Sequence, residues 1–139
     1  MAQKLLVRDV MSTEVKTVEQ NELLQNVDQA MQEGHFRHVL VVDNDDQLAG
    51  VISNRDLFLS GLLRALGYGS RSRDQVLEQL VAKEVMRTSL HTTSPEQPLS
   101  KAAQLMQSEK VGCLPVLEGE RIVGILTEGD FVKLAAREA

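Results

Sequence analysis

The residues best suited to chemistry in this chain are two hydroxyl and carboxylate pairs at the same spacing, Ser53-x-x-Asp56 and Thr127-x-x-Asp130. Each follows a glycine and an apolar pair: Gly50-Val51-Ile52 leads into the first and Gly124-Ile125-Leu126 into the second. An ionised carboxylate accepts from two hydroxyls at once, so a carboxylate beside a hydroxyl suits a vicinal diol such as ribose. The same spacing, where a strand passes into a helix, is also that of a capping box, in which both side chains satisfy free backbone donors. The two roles are compatible, since one oxygen can serve the backbone and another a ligand.

A positive charge stands near the first pair only. Arg37 and His38, within His35-Phe36-Arg37-His38, lie at the entrance to the apolar run Val39-Leu40-Val41-Val42. There they either end a strand in solvent or reach phosphate groups while Asp56 holds a sugar. The corresponding residues of the second half are Gly112 and Cys113, so two such sites would be unequal. Other chemistries find less support. His35 and His38, three apart near a strand, point to opposite faces and lack a second pair of ligands, which disfavours a metal site. Cys113 is the sole cysteine; it excludes an intramolecular disulfide and a two-thiolate zinc site, and reads as a small buried thiol. Ser53 sits in no nucleophile elbow and Cys113 has no evident base, so no catalytic set emerges.

These residues are positioned by elements that occur twice. Val10-Met11, Leu24, Gln29, Met31-Gln32 and Val41 recur 75 positions later as Val85-Met86, Leu99, Gln104, Met106-Gln107 and Val116, while the closing signatures recur at 74. One residue is therefore lost in the polar turn between Asp43 and Gly50, which leaves the packing elements in register. Leu23, Leu24, Val27, Ala30 and Met31, and likewise Leu99, Ala102, Ala103 and Met106, fall at helical spacing, with both methionines as core. Ser94-Pro95-Glu96-Gln97 reads as a helix start with N-cap, N1 proline and capping-box glutamine, and Thr17 to Gln20 as its weaker counterpart. Glu14 to Val18 and Ser89 to Thr93 are β-prone, as are Val39 to Val42 and Leu114 to Leu117; each of the latter is followed by a turn and a second strand, Leu48 to Ile52 and Ile122 to Leu126. Gly50 and Gly124 read as turn glycines. A closing helix runs from Asp56 to about Leu66 and stops at Gly67. Gly67 to Arg73 is a linker, its glycines lacking the strand and lysine of a phosphate loop, and Asp74 to Val81 returns to helical periodicity with Val76, Leu77 and Leu80.

With 139 residues, 42% hydrophobic and 25% charged, the chain matches an ordinary globular domain. One copy of roughly 55 to 60 residues would be marginal alone, so the two are expected to pack as one structural unit with a ligand at their interface. A net charge of −5, no lysine- and arginine-rich block and 3% aromatic residues disfavour nucleic acid. The first ten residues do not read as a signal peptide and no run approaches a membrane span, so the expected location is cytoplasmic, away from membranes.

The Val-Met entries, the strand runs ending at Asp43 and Glu118, and the two closing signatures resemble a tandem pair of cystathionine-β-synthase (CBS) domains over Val7 to Gly61 and Val81 to Leu134. The resemblance implies an α/β (α+β) fold of two β-α-β-β-α repeats, 7–66 and 81–136, joined by a linker and linking helix over 67–80. The repeats would pack through their sheets about a pseudo-two-fold axis. It further implies two clefts for AMP, ADP, ATP or related adenosyl ligands, in a regulatory protein that is not an enzyme and requires no cofactor. In one cleft, Asp56 and Ser53 would hold ribose, Arg37 and His38 would face phosphates, Ile52 would line the wall, and adenine would lie near Thr92, Val111 and Gly112. In the other, Asp130 and Thr127 would hold ribose beside Leu126, with Thr17, Phe36 and Arg37. The expected partners are a nucleotide, a second copy of the chain and an effector protein. The second copy is expected because Leu57, Leu59, Leu62 and Leu63 load the closing helix with apolar surface. The alternative is an interaction or dimerisation module whose clefts hold no ligand.

Overall fold

A computed structural model describes residues 4–58, 75 and 77–137. In chain order the elements are α1 (Val7–Val10), β1 (Thr17–Glu19), α2 (Leu24–Gly34), β2 (His38–Val42), β3 (Leu48–Ser53), a 3-10 turn (Ala82–Glu84), α3 (Leu99–Glu109), β4 (Cys113–Glu118), β5 (Arg121–Thr127) and α4 (Glu128–Arg137). Residues 54–58 begin a further helix directly after β3. The remainder of the closing helix to Leu66, its stop at Gly67, the linker to Arg73 and the helical position Val76 lie outside the described residues.

The fold is mixed α/β and forms two units, a central one within Lys16–Leu90 and a terminal one drawn from Met1–Val15 and His91–Ala139. In the central unit β1 runs parallel to β2, with Val18 opposite Val41, and β2 runs antiparallel to β3, with Val39 opposite Ile52. Leu24, Val27 and Met31 from one face of α2 pack with Val39, Val41, Ile52, Leu57, Leu77, Leu80 and Ala82. The terminal unit pairs β4 with β5, with Leu114 opposite Leu126, over a core of Val7, Val10, Leu99, Ala102, Met106, Leu114, Val116 and Leu126. The antiparallel pairs carry a register shift at the same place in both copies, Val41/Val42 and Val116/Leu117.

The units are not simply the two sequence copies, because each takes in the other copy's entry segment. Val51 and Arg87 exchange two backbone hydrogen bonds (3.1 and 2.9 Å), and so do Ser12 and Ile125 (2.9 and 2.9 Å). The same exchange explains why the helices start where they do. Neither α2 nor α3 has a side-chain cap; instead the first N–H of α2, on Leu24, donates to the Leu80 carbonyl at 2.8 Å, and that of α3, on Leu99, to the Leu5 carbonyl at 2.9 Å. Backbone from a distant segment thus satisfies one of the N–H groups that each helix start leaves free.

Several expectations are corrected. Ser94 to Gln97 is a turn and α3 begins only at Leu99, with Pro98 at the N-cap. A helix starting at Ser94 would need an N–H at residue 98, which proline lacks. The carbonyls of Pro95 and Gln97 accept instead from Arg8 (3.0 Å) and Val7 (2.9 Å). Thr17–Glu19 is β1, and α2 starts at Leu24. Ser89 to Thr93 does not form a strand but a single parallel bridge, Thr93 with Val116. Gly50 and Gly124 lie inside β3 and β5 and make no turn. A Cβ on Gly50 would come 2.5 Å from Met86 Sδ, and one on Gly124 2.8 Å from Met11 Sδ and 2.9 Å from the Ser12 carbonyl. The glycine of each closing signature and the methionine of the other copy's entry are therefore one packing device: the thioether lies where a side chain would be.

Candidate functional site

Each closing signature is built from a strand end. Ile52 and Leu126 are wholly buried in the two cores, which fixes the strands and places Ser53 and Thr127, both half-buried, at their last positions. His38 stands opposite Ser53 across the β2–β3 pair, as Cys113 stands opposite Thr127. The Arg37 carbonyl accepts from Asn54 N–H at 2.7 Å, and the Gly112 carbonyl from Glu128 N–H at 3.1 Å, tying the loop before each strand to the start of the closing helix. In the central unit this gathers Arg37, His38, Ser53 and Asp56 at one end of the sheet. Phe36, half-buried, precedes them with its N–H on the Met31 carbonyl, whereas Thr17 is exposed at the start of β1, opposite Leu40. In the terminal unit Gly112, Thr127 and Asp130 are gathered in the same way, with half-buried Val111 just before; Thr92 is exposed, next to the residue that bridges to Val116.

Both signatures do form the cap. The Asp56 N–H donates to Ser53 Oγ at 3.0 Å, and the Asp130 N–H to Thr127 Oγ1 at 3.3 Å. The carboxylates then differ. Asp130 is 4% exposed and engaged within its unit: Oδ1 accepts from Ser12 Oγ at 2.8 Å, and Oδ2 from Thr127 N–H at 2.9 Å and Thr127 Oγ1 at 3.2 Å. Asp56 is held by Arg87, whose Nε donates to Oδ2 at 2.8 Å and Nη2 to Oδ1 at 2.9 Å. The Arg87 side chain is 64% exposed and that of Asp56 16%. The guanidinium's hydrogen bonds hold the Asp56 carboxyl below the usual carboxylate range, against the opposing push of burial and with help from Ser53.

Arg87 and Ser12, which bond the two aspartates, are the residues of these ends that motif reading missed. Their sequence signal is positional: each directly follows a Val-Met entry, one copy supplying a cation and the other a hydroxyl. Together these residues make a polar, cation-rich end in the central unit, where Arg37, His38 and Arg87 accompany Asp56. At the matching end of the terminal unit, the groups shown donating to Asp130 are uncharged, the Ser12 hydroxyl and the Thr127 hydroxyl and N–H.

Fold, duplication and paired signatures define a class, and comparison bears on it directly. Residues 7–61 and 82–137 each match the CBS domain, and the chain belongs to that family as a tandem pair. A CBS domain-containing protein of Dictyostelium discoideum is 30% identical over 132 residues, covering 94% of this chain and 91% of the relative. Homoserine O-acetyltransferase of Methanohalobium evestigatum is 26% identical over 129 residues, 92% of this chain but only 24% of that enzyme. Among solved structures, CBSX2 in complex with AMP superposes with a TM-score of 0.75 at 25% identity, covering 96% of this chain and 98% of that one.

Proposed function

We propose that the chain is a regulatory module, not an enzyme, that binds an adenine nucleotide or related adenosyl ligand and passes its occupancy to an effector protein. The observation that carries this reading is the end of the central unit, where a partly exposed, ionised Asp56 stands beside Ser53 with Arg37 and His38 on the adjoining strand entrance. A carboxylate for a ribose diol and cations for phosphate are what a nucleotide requires. Within the terminal unit, a second ligand would use Asp130 and Thr127 beside Leu126. The AMP held by CBSX2 supports the ligand class. The proposed setting is the cytoplasm, and the proposed use is sensing of cellular energy or of an adenosyl metabolite.

A thermal-shift and calorimetric screen of AMP, ADP, ATP, S-adenosylmethionine and dinucleotides tests this. A ligand bound only by the folded protein stabilises it by about 2.7 kcal/mol at a hundredfold excess over its dissociation constant, so a clear rise in Tm is expected with at least one compound. No shift with any adenosyl compound at millimolar concentration would leave the interaction-module reading in its place.

A further inference from the structure

Resting on the adenosyl-ligand reading, we propose that Arg87 makes the Asp56 site select ligands that carry an anionic group: it occupies the carboxylate edge that ribose needs, and it pairs with the ligand's phosphate once displaced. The geometry supplies the competition. Arg87 approaches Asp56 side-on, one N–H to each oxygen, at 2.8 and 2.9 Å. A vicinal diol that donates one hydroxyl to each oxygen takes the same edge of the carboxylate. Ribose and guanidinium therefore exclude one another there.

The exposure of Arg87 makes the exchange feasible. At 64% exposed, its side chain has solvent beside it, so the guanidinium can leave Asp56 and remain hydrated. Its backbone stays fixed, because Arg87 exchanges two hydrogen bonds with Val51 of β3, two residues before Ser53. The displaced charge thus remains at the site. A neutral nucleoside has nothing to offer it, whereas a phosphorylated one restores the ion pair that the ribose broke. The terminal unit lacks the device altogether, since the equivalent residue, Ser12, donates one neutral hydrogen bond to Asp130.

Calorimetric titration of AMP and of adenosine into the intact wild-type chain, Arg87→Met and Arg87→Lys tests the proposal, with a melting curve for each variant. Wild type is expected to prefer AMP. In Arg87→Met that preference should fall about tenfold, by weaker AMP binding with adenosine unchanged or tighter, as the loss of one charge-assisted partner implies. Arg87→Lys, which keeps the charge without the side-on fork, should fall between and supplies the result if the methionine variant fails to fold. An AMP-to-adenosine ratio that is the same in all three proteins would overturn the role of Arg87 while leaving the nucleotide reading standing. If wild type binds neither compound, nor any other adenosyl ligand, the nucleotide reading falls and the selectivity proposal falls with it.

Discussion

Asp56 and Asp130 occupy the same place in a duplicated signature, and what separates them is the single residue each meets from a distant segment. Arg87 gives Asp56 a charged partner across 31 positions; Ser12 gives Asp130 a hydroxyl across 118. The consequence can be measured by pH. The folded Asp56 carboxyl titrates below its unfolded value near 3.9, so its stabilising contribution is complete above that value and is lost as pH falls through the folded one. Acid melting curves should therefore show wild type losing more stability below about pH 4 than Asp56→Asn, which has no carboxylate to protonate. Superimposable losses would mean that the ion pair contributes nothing. The two aspartates, Arg37 and His38 are legible from motif and spacing alone. Arg87 and Ser12 are not, because their partners are chosen by tertiary exchange and no local pattern encodes that.

At the level of elements, the recurring glycine and the recurring Val-Met are two halves of one contact. Gly50 lies in β3 beneath Met86, with room for no Cβ. Gly50→Ala should then destabilise the protein by about 1–3 kcal/mol, the usual range for overpacking, read as a lower urea midpoint at unchanged slope. Adding Met86→Ala should recover part of the loss by vacating the space. A neutral Gly50→Ala would show that the strand needs no such close approach. Spacing alone identifies these glycines as special but assigns them to turns, since the methionine over each comes from the other copy's entry, 36 positions from Gly50 and 113 from Gly124. The helix starts fail to read out for the same reason. Ser94-Pro95-Glu96-Gln97 has the composition of a cap, yet α3 takes its backbone cap from Leu5 and α2 from Leu80. By contrast, helical periodicity locates both long helices, and the apolar runs locate the β2–β3 and β4–β5 pairs, because those patterns are set by burial within one segment.

For the molecule as a whole, duplication yields two similar units with dissimilar chemistry. Each leaves a large apolar residue exposed at the same position of its closing helix, Phe58 at 51% and Val132 at 69%. Of the residues on which the expected homodimer rests, Leu57 is buried in the central core and Leu59, Leu62 and Leu63 lie outside the described residues; if Phe58 and Val132 are what a second copy covers, light scattering at micromolar concentration should return twice the chain mass, reduced towards one chain by Phe58→Asp. A monomer across the whole dilution series would remove self-association as a route for the signal. The proposed assignment makes the cation-flanked Asp56 the strong nucleotide site and Asp130, whose oxygens accept from Ser12 and Thr127, the weaker one. Calorimetric titration of AMP into wild type, Asp56→Ala and Asp130→Ala tests it most directly. Removing a ribose-binding carboxylate costs about 1.5 to 3 kcal/mol, roughly 10- to 150-fold in affinity. Asp56→Ala should abolish the strong phase and Asp130→Ala should largely preserve it; the reverse order, or equal losses in both variants, would contradict the assignment.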